Sequence, residues 1–168
     1  MSTKPEFTLR AARLGDAARI FAMIRNHPDE LIPKPMGDIV AAIDRFIVAE
    51  ADGDIVGCAS YSILPEIGVA ERATVELQSV AVLAKYRKFG IGRALIEALL
   101  ERVSPFCPEE VLVLTFVPGF FERLGFREIP KSKVMHKLYF GCIHCTKHAD
   151  PFTCPEIAMS RKLRKDKE

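Results

Sequence analysis

The sequence has no tryptophan, no excess of either charge and no long apolar run. Its 24 Lys and Arg against 22 Asp and Glu give a formal net charge of +2. This argues against a nucleic-acid-binding protein, which normally concentrates basic residues on one face. No window approaches the roughly 18 apolar residues that a membrane span needs. Residues Met1 to Glu6 have no apolar run behind their charges, so they do not form a signal peptide. We therefore expect a cytoplasmic protein.

Length and apolar content indicate one globular domain. The chain has 168 residues, of which 49% are hydrophobic, and this composition excludes a disordered chain. A chain of this size forms a core without covalent cross-links, and its five cysteines are an odd set in a reducing compartment. We predict a single domain over 1–168, with its core at about 7–130 and a cysteine-rich tail at about 134–160.

Hydrophobic periodicity predicts an antiparallel meander followed by a strand–loop–helix–strand unit, hence a mixed α/β (α+β) fold. Predicted strands cover 7–12, 46–49, 55–64, 74–83 and 111–114, and another starts at Phe126. Predicted helices follow Gly15-Asp16 and cover about 38–45, 91–103 and 120–124. Three prolines make 27–35 a loop or a broken helix, and Asp52-Gly53 predicts a hairpin turn.

The most informative segment is a basic loop with two glycines between a predicted strand and a predicted helix. It reads Lys85-Tyr86-Arg87-Lys88-Phe89-Gly90-Ile91-Gly92-Arg93. Glycines let the backbone approach a ligand closely, and the first N–H groups of a helix attract phosphate oxygens. The alternative is an ordinary tight turn with a solvated basic rim. The loop has neither the Gly-Lys-Ser/Thr ending of a P-loop nor a Gly-x-Gly-x-x-Gly pattern.

This loop resembles the Arg/Gln-x-x-Gly-x-Gly/Ala loop of the GNAT superfamily of N-acetyltransferases. Arg87, Gly90 and Gly92 match that pattern in full. The preceding residues 76–82 resemble the family's fourth strand, and 120–126 resemble its Phe-Tyr-x-x-x-Gly-Phe segment. The resemblance covers about 7–130 and implies a mostly antiparallel, twisted sheet flanked by helices.

The resemblance implies acetyl-CoA as cosubstrate. The backbone N–H groups of residues 88–93 would hold the CoA pyrophosphate, and Val80 and Val82 would pair with the pantetheine arm as an added strand. The implied cofactor-binding residues are therefore Val80, Val82, Arg87, Lys88, Phe89, Gly90, Ile91, Gly92 and Arg93.

Acetyl transfer requires an unprotonated amine, so a general base is expected. Strand alternation places Glu76 on the same face as Gln78, Val80 and Val82. An exposed strand glutamate is the ordinary interpretation, but the GNAT resemblance favours Glu76 as the base. A backbone N–H near Val80 would stabilise the oxyanion.

One departure from the family concerns the general acid. Many relatives have Tyr where Phe121 stands, and Phe cannot protonate the departing thiolate. Because a thiol has a pKa near 8.5, it leaves without such assistance. Tyr86 and Tyr139 are the alternatives.

Within the superfamily, the sequence resembles the short, stand-alone N-acetylglutamate synthases. The shared segments are Leu31-Ile32-Pro33-Lys34, residues 120–126, His136-Lys137 to Cys145, and Ile157-Ala158-Met159. This implies L-glutamate as acceptor and the first step of arginine biosynthesis. Two carboxylates call for strong donors, and Arg10 and Lys34 are the candidates, ahead of Arg25.

The tail contains Cys142, Cys145 and Cys154, together with His136, His144 and His148. Cys-x-x-Cys suits tetrahedral zinc, but only one such half is present. A lid of reduced thiols packed on the core is the alternative interpretation. Residues 161–168 are a charge run that predicts a solvated tail.

Two other functions remain open at this stage. One keeps acetyl-CoA but acetylates another small amine or a protein N-terminus. The other is a non-catalytic acetyl-CoA sensor, which Phe121 and the cysteine-rich tail weakly support. A homodimer is compatible with the sequence, and neither a nucleic acid nor a membrane is an expected partner.

Overall fold

The structure, a computed structural model, describes residues 5–66, 69–106, 108–135, 138, 141–142 and 145–163. Among the residues named above, Met1, His136, Lys137, Tyr139 and His144 lie outside these ranges, as do residues 164–168 of the charge run. Within them, every helix is too short or too polar to cross a bilayer.

The described elements form a mixed α/β fold built around a seven-stranded sheet. The strands are β1 (Thr8–Ala11), β2 (Phe46–Ala51), β3 (Asp54–Glu66), β4 (Val69–Val82), β5 (Glu110–Thr115), β6 (Arg127–Glu128) and β7 (Ile157–Lys162). The helices are α1 (Ala17–Arg25), α2 (Met36–Ala41), α3 (Ile91–Val103) and α4 (Pro118–Glu122). The hydrogen-bonded strand order is β1-β2-β3-β4-β5-β7-β6. The first three strands pair antiparallel and β4 pairs parallel with β5, as the sequence predicted.

The chain divides into two compact units, and β3 and β4 each contribute residues to both. The first contains Met1–Tyr61 and Gln78–Arg102, and the second contains Ser62–Leu77 and Val103–Glu168.

The core of the first unit forms where α1 packs with the meander. Helix α1 buries Ala17, Ile20, Met23 and Ile24, which recur every three or four residues. They join a cluster with side chains of β2 and β3, among them Cys58. Burial raises the pKa of the Cys58 thiol to about 12, so this cysteine is an inert core residue.

Two glycines shape the first unit. Gly53 (φ +77°) follows Asp52 (φ +54°) in the β2–β3 turn, which confirms the predicted hairpin. A Cβ on Gly57 would lie 3.1 Å from Leu95 Cδ1 and 3.2 Å from the Ala81 carbonyl oxygen. Glycine at position 57 therefore lets α3 pack closely on the sheet.

The second unit is organised around β5. It pairs in parallel with β4 through Val75–Val111 and Glu76–Leu112, and antiparallel with β7 on its other side. Phe121 of α4 is buried, with its ring centroid 5.5 Å from that of Phe126. Gly125 (φ +83°) ends the helical turn, as predicted.

The C-terminal segment differs from the predicted tail. Strand β7 lies between β5 and β6, and its Ala158 and Met159 are buried. The tail predicted over 161–168 starts too early, because Arg161 and Lys162 continue β7, although Lys162 is exposed as predicted. Arg161 pairs with Val111, and its Nη1 donates to the Leu124 carbonyl at 3.0 Å.

Candidate active site

The glycine-containing loop connects the end of β4 to α3 through a short 3-10 turn (Ala84–Tyr86). Lys88 (φ +69°) and Gly90 (φ +87°) both have left-handed backbone conformations. The Gly90 carbonyl accepts the first helical bond, from Ala94 N–H at 3.0 Å. The N–H groups of Ile91, Gly92 and Arg93 therefore have no acceptor within α3. Such amides at a helix start, next to left-handed residues, form an anion-binding concavity.

The basic side chains of this loop differ in their partners. Arg87 forms two 2.9 Å hydrogen bonds to the carboxylate of Glu30, and Arg93 pairs with Glu97 at 3.0 Å. Lys85 Nζ lies 4.7 Å from the centroid of the Tyr86 ring. The Arg87 and Arg93 charges are thus balanced by carboxylates, which makes the backbone amides the better candidates for binding an anion.

The end of β4 that precedes the loop is not a regular strand. Ser79 has a φ of +54°, which is typical of a β-bulge and uncommon for a non-glycine residue. Its carbonyl accepts from the Cys58 thiol of β3 at 3.5 Å. The predicted alternation of Glu76 with Val80 and Val82 is interrupted at this point. The Val82 carbonyl accepts a 3.1 Å hydrogen bond from Arg87 Nε.

Glu76 lies in the part of β4 that belongs to the second unit, opposite Leu112 of β5. Its exposure is 3%, and no other charged residue is buried among those whose side chains the structure describes. Val75 and Leu77 on either side of it are buried too. Carboxylates are rarely buried without a functional or pairing role, so this position is a strong candidate for chemistry.

Phe121, which stands in place of the family's tyrosine, and Tyr86, a candidate general acid, both make other contacts in the structure. Phe121 packs edge-on against Phe120 and Phe126. The Tyr86 hydroxyl donates to Asp52 in the β2–β3 turn at 2.6 Å. Tyr86 therefore anchors the start of the loop to the hairpin.

The predicted acceptor residues lie in different surroundings within the first unit. Arg10 donates to both carboxylate oxygens of Asp16, at 2.7 and 3.1 Å, and also pairs with Glu50. These bonds raise the pKa of Arg10 and hold the pKa of Asp16 below its ordinary value. Lys34 instead reaches β4, where its Nζ donates to Gln78 Oε1 at 2.7 Å. Lys34 is thus the better placed of the two for an acceptor.

The tail cysteines do not form a metal centre among the described residues. Cys142, Cys145 and Cys154 form no disulfide bond within the described residues. In the part of the chain that the structure describes, no three His, Cys, Asp or Glu side chains are arranged to hold a metal ion. Burial raises the pKa of Cys154, whose carbonyl accepts from Lys131 Nζ. The described residues, which leave out His136 and His144, therefore give no support to a zinc site.

Two polar contacts near the loop escaped the sequence analysis. Glu30, the partner of Arg87, lies 57 residues away from it, and Gln78, the partner of Lys34, lies 44 residues away. Glu30 belongs to no motif, and although Gln78 lies in the strand segment 76–82, no local pattern pairs it with Lys34.

Comparison with known proteins identifies relatives along most of the chain. An uncharacterized N-acetyltransferase of Chlorobaculum tepidum is 34% identical over 157 residues, which is 92% of this chain and 96% of that protein. An amino-acid acetyltransferase of Mycobacterium tuberculosis is 30% identical, over 78% of this chain and 74% of that protein. An N-alpha-acetyltransferase of Sulfurisphaera tokodaii is also 30% identical, over 80% and 86% respectively.

The fold is shared with a solved N-acetylglutamate synthase from Neisseria gonorrhoeae, complexed with coenzyme A and N-acetyl-glutamate. The TM-score is 0.76 at 19% identity, and the match covers 98% of this chain but only 37% of that protein. The family model described as an acetyltransferase (GNAT) domain matches residues 42–128, just over half of the chain. These residues contain the glycine loop, Glu76 and Phe121. The chain therefore belongs to the GNAT acetyltransferase family.

Proposed function

We propose that this protein transfers the acetyl group of acetyl-CoA to the α-amine of a small amino acid, with L-glutamate as the acceptor. The observation that carries the cosubstrate is the anion site at the start of α3. Left-handed Lys88 and Gly90 and the N–H groups of residues 91–93 suit a diphosphate. Lys88 adds a cationic side chain that has no ion-pair partner among the described residues.

The proposed chemistry begins with Glu76. Its carboxylate takes a proton from the acceptor ammonium, directly or through water, and the free amine attacks the thioester carbonyl carbon. A backbone N–H near Val80 stabilises the oxyanion. The C–S bond then breaks, the thiolate leaves unassisted by Phe121, and the amide nitrogen loses its second proton to solvent.

The amino-acid acceptor is supported by similarity and by one contact. A relative named as an amino-acid acetyltransferase shares 30% of its residues over most of this chain. Lys34, from the Leu-x-Pro-Lys segment, lies against Gln78 near the irregular part of β4. Because glutamate has two carboxylates, a lysine there is a suitable donor.

The test is release of CoA from acetyl-CoA in the presence of single amino acids, with the product identified by mass spectrometry. L-Glutamate should exceed L-glutamine and L-2-aminobutyrate, which lack the side-chain carboxylate, by at least tenfold in kcat/KM. Peptides with a free N-terminus test the second candidate, which the similarity to an N-alpha-acetyltransferase favours. A peptide that is preferred over glutamate would overturn the assignment.

A further inference from the structure

The segment between α1 and α2 makes two polar contacts, one from its middle and one near its C-terminal end. Residues 26–35 contain three prolines and form turns rather than a helix or strand. Glu30 binds Arg87 of the glycine loop, and Lys34 binds Gln78 of β4. All four residues belong to the first unit. The segment that carries the proposed acceptor lysine is thus attached to the loop that carries the proposed diphosphate site.

Arg87 has the geometry of a tether. Nη1 and Nη2 each donate to a different oxygen of Glu30 at 2.9 Å, and Nε donates to the Val82 carbonyl at 3.1 Å. This fork fixes both the direction and the distance of the carboxylate. The guanidinium therefore uses three of its five N–H groups within the protein, one on the end of β4 and two on the segment 26–35.

Charge explains why Glu30 and Arg87 occur together. Glu30 lies close to the glycine loop, because its partner Arg87 immediately precedes left-handed Lys88. Without a cationic partner, the Glu30 carboxylate would repel a diphosphate bound there. The bidentate pair cancels that charge. Both side chains are more than a third exposed, at 37% and 39%, so the pair contributes little to global stability. Its main consequence is the position of the segment.

We propose that Glu30 is a positioning residue which, through Arg87, holds the segment 26–35 so that Lys34 stands ready for the carboxylate of the acceptor. This inference rests on the proposed function for its acceptor, but the tether itself does not depend on which amine is acetylated. It assigns the Arg87 side chain to the acceptor segment and leaves the diphosphate to the backbone amides and Lys88.

The first test is Glu30→Gln. The acceptor KM is expected to rise about two- to fivefold, the range of an exposed ion pair. The KM for acetyl-CoA should stay the same or fall, because a negative charge is removed near the anion site. Asp29→Asn is the matched control, since it removes the same charge from an exposed neighbour with no ion pair among the described residues. It should leave the acceptor KM unchanged.

A double-mutant cycle separates a tether from a phosphate ligand. If Arg87 acts through Glu30, the variants Glu30→Gln, Arg87→Gln and their combination have the same acceptor KM. If Arg87 is instead a diphosphate donor, Arg87→Gln raises the acetyl-CoA KM with or without Glu30, and Glu30→Gln leaves the acceptor KM unmoved. That second pattern would overturn the proposal.

Amide hydrogen exchange in the unliganded protein tests the tether without any reaction. The N–H groups of Glu30 and Leu31 donate to the His27 carbonyl at 3.2 and 3.0 Å. Both should exchange several-fold faster in Glu30→Gln, and at the wild-type rate in Asp29→Asn. Unchanged exchange in Glu30→Gln refutes the tether. Faster exchange in a protein that does not acetylate glutamate refutes the proposed function alone.

Discussion

At the scale of single residues, the buried carboxylate of Glu76 makes the sharpest prediction. Glu76→Gln preserves the size of the side chain but removes its capacity to accept a proton. We expect kcat/KM to fall about 10²- to 10⁴-fold, and the remaining rate to rise with pH as the acceptor ammonium loses its proton to solvent. Steady-state kinetics across pH with acetyl-CoA and L-glutamate measure both effects.

The control for this variant is Glu110→Gln, which removes an exposed carboxylate from β5 of the same unit. It should leave both the rate and the pH profile unchanged. Thermal melts of the two variants show whether a lost rate reflects a lost fold. A folded Glu76→Gln protein with wild-type kinetics would exclude Glu76 from proton transfer.

Arg10 illustrates how a plausible substrate ligand becomes a structural residue. Its pairing with Asp16 and Glu50 predicts that Arg10→Met lowers the free energy of unfolding by about 1–3 kcal/mol at pH 7 and leaves the acceptor KM unchanged. Urea unfolding and kinetics provide the two measurements. Arg19→Met is the control, because the Arg19–Asp54 pair is more exposed and should contribute less than about 1 kcal/mol.

The same pair gives this prediction a pH dependence. Arg10 lowers the pKa of Asp16 in the folded state, so the stabilisation is present above the unfolded-state pKa. It is lost as the pH falls through the lowered folded-state pKa. The gap in stability between wild type and Arg10→Met should therefore narrow as the pH falls below about 4. If Arg10→Met raises the acceptor KM, or if its difference in stability from wild type does not change with pH, the substrate role of Arg10 is favoured instead.

At the scale of elements, the backbone conformation of the glycine loop is open to test. Gly90→Ala adds a methyl group that meets no atom within 4 Å, but at a φ of +87°. We expect a loss of about 1 kcal/mol in stability and a clear rise in the Kd for acetyl-CoA, because the loop backbone must change to relieve the strain.

Gly37→Ala is the matched control for this substitution. Gly37 lies in α2, also with no atom within 4 Å of an added Cβ, and Ala favours a helix over Gly by up to about 1 kcal/mol. The same added methyl group should therefore stabilise the protein there and leave the Kd for acetyl-CoA unchanged. Calorimetric titration measures the binding, and equal Kd values for the two variants would argue against the loop as the diphosphate site.

The elements also show what the sequence predicts and what it leaves out. The hairpin at Asp52-Gly53 and the start of α3 at Gly90 were predictable, because each depends on a left-handed glycine and a local apolar pattern. Strand β7 was not, because its short apolar part, Ile157–Met159, is followed by the polar and charged residues Ser160, Arg161 and Lys162. Its identity as a strand comes from pairing with β5, which lies more than 40 residues earlier.

The candidate site divides in the same way. Glu76 and the glycine loop were found from a local pattern and a family resemblance. Glu30 and Gln78 acquire their roles from partners 57 and 44 residues away. Arg10 pairs with Glu50, which lies 40 residues away, as well as with nearby Asp16. Such pairings depend on the folded topology, and a charged side chain in a loop gives no local indication of its partner. The zinc site that the Cys-x-x-Cys spacing allowed is not formed by the described residues, since ligand spacing along the chain does not ensure convergence in space.

At the scale of the whole molecule, the diphosphate should dominate the stabilisation by acetyl-CoA. At a hundred times its Kd, a ligand stabilises the folded state by about 2.7 kcal/mol, which corresponds to a rise of about 5–11 °C in Tm for a chain of this size. S-acetylpantetheine retains the thioester but lacks the diphosphate, so at the same concentration it should shift Tm far less. Gly90→Ala should reduce the shift from acetyl-CoA and not that from S-acetylpantetheine. Equal shifts from both compounds in the wild-type protein would mean that the amides at the start of α3 do not bind the diphosphate.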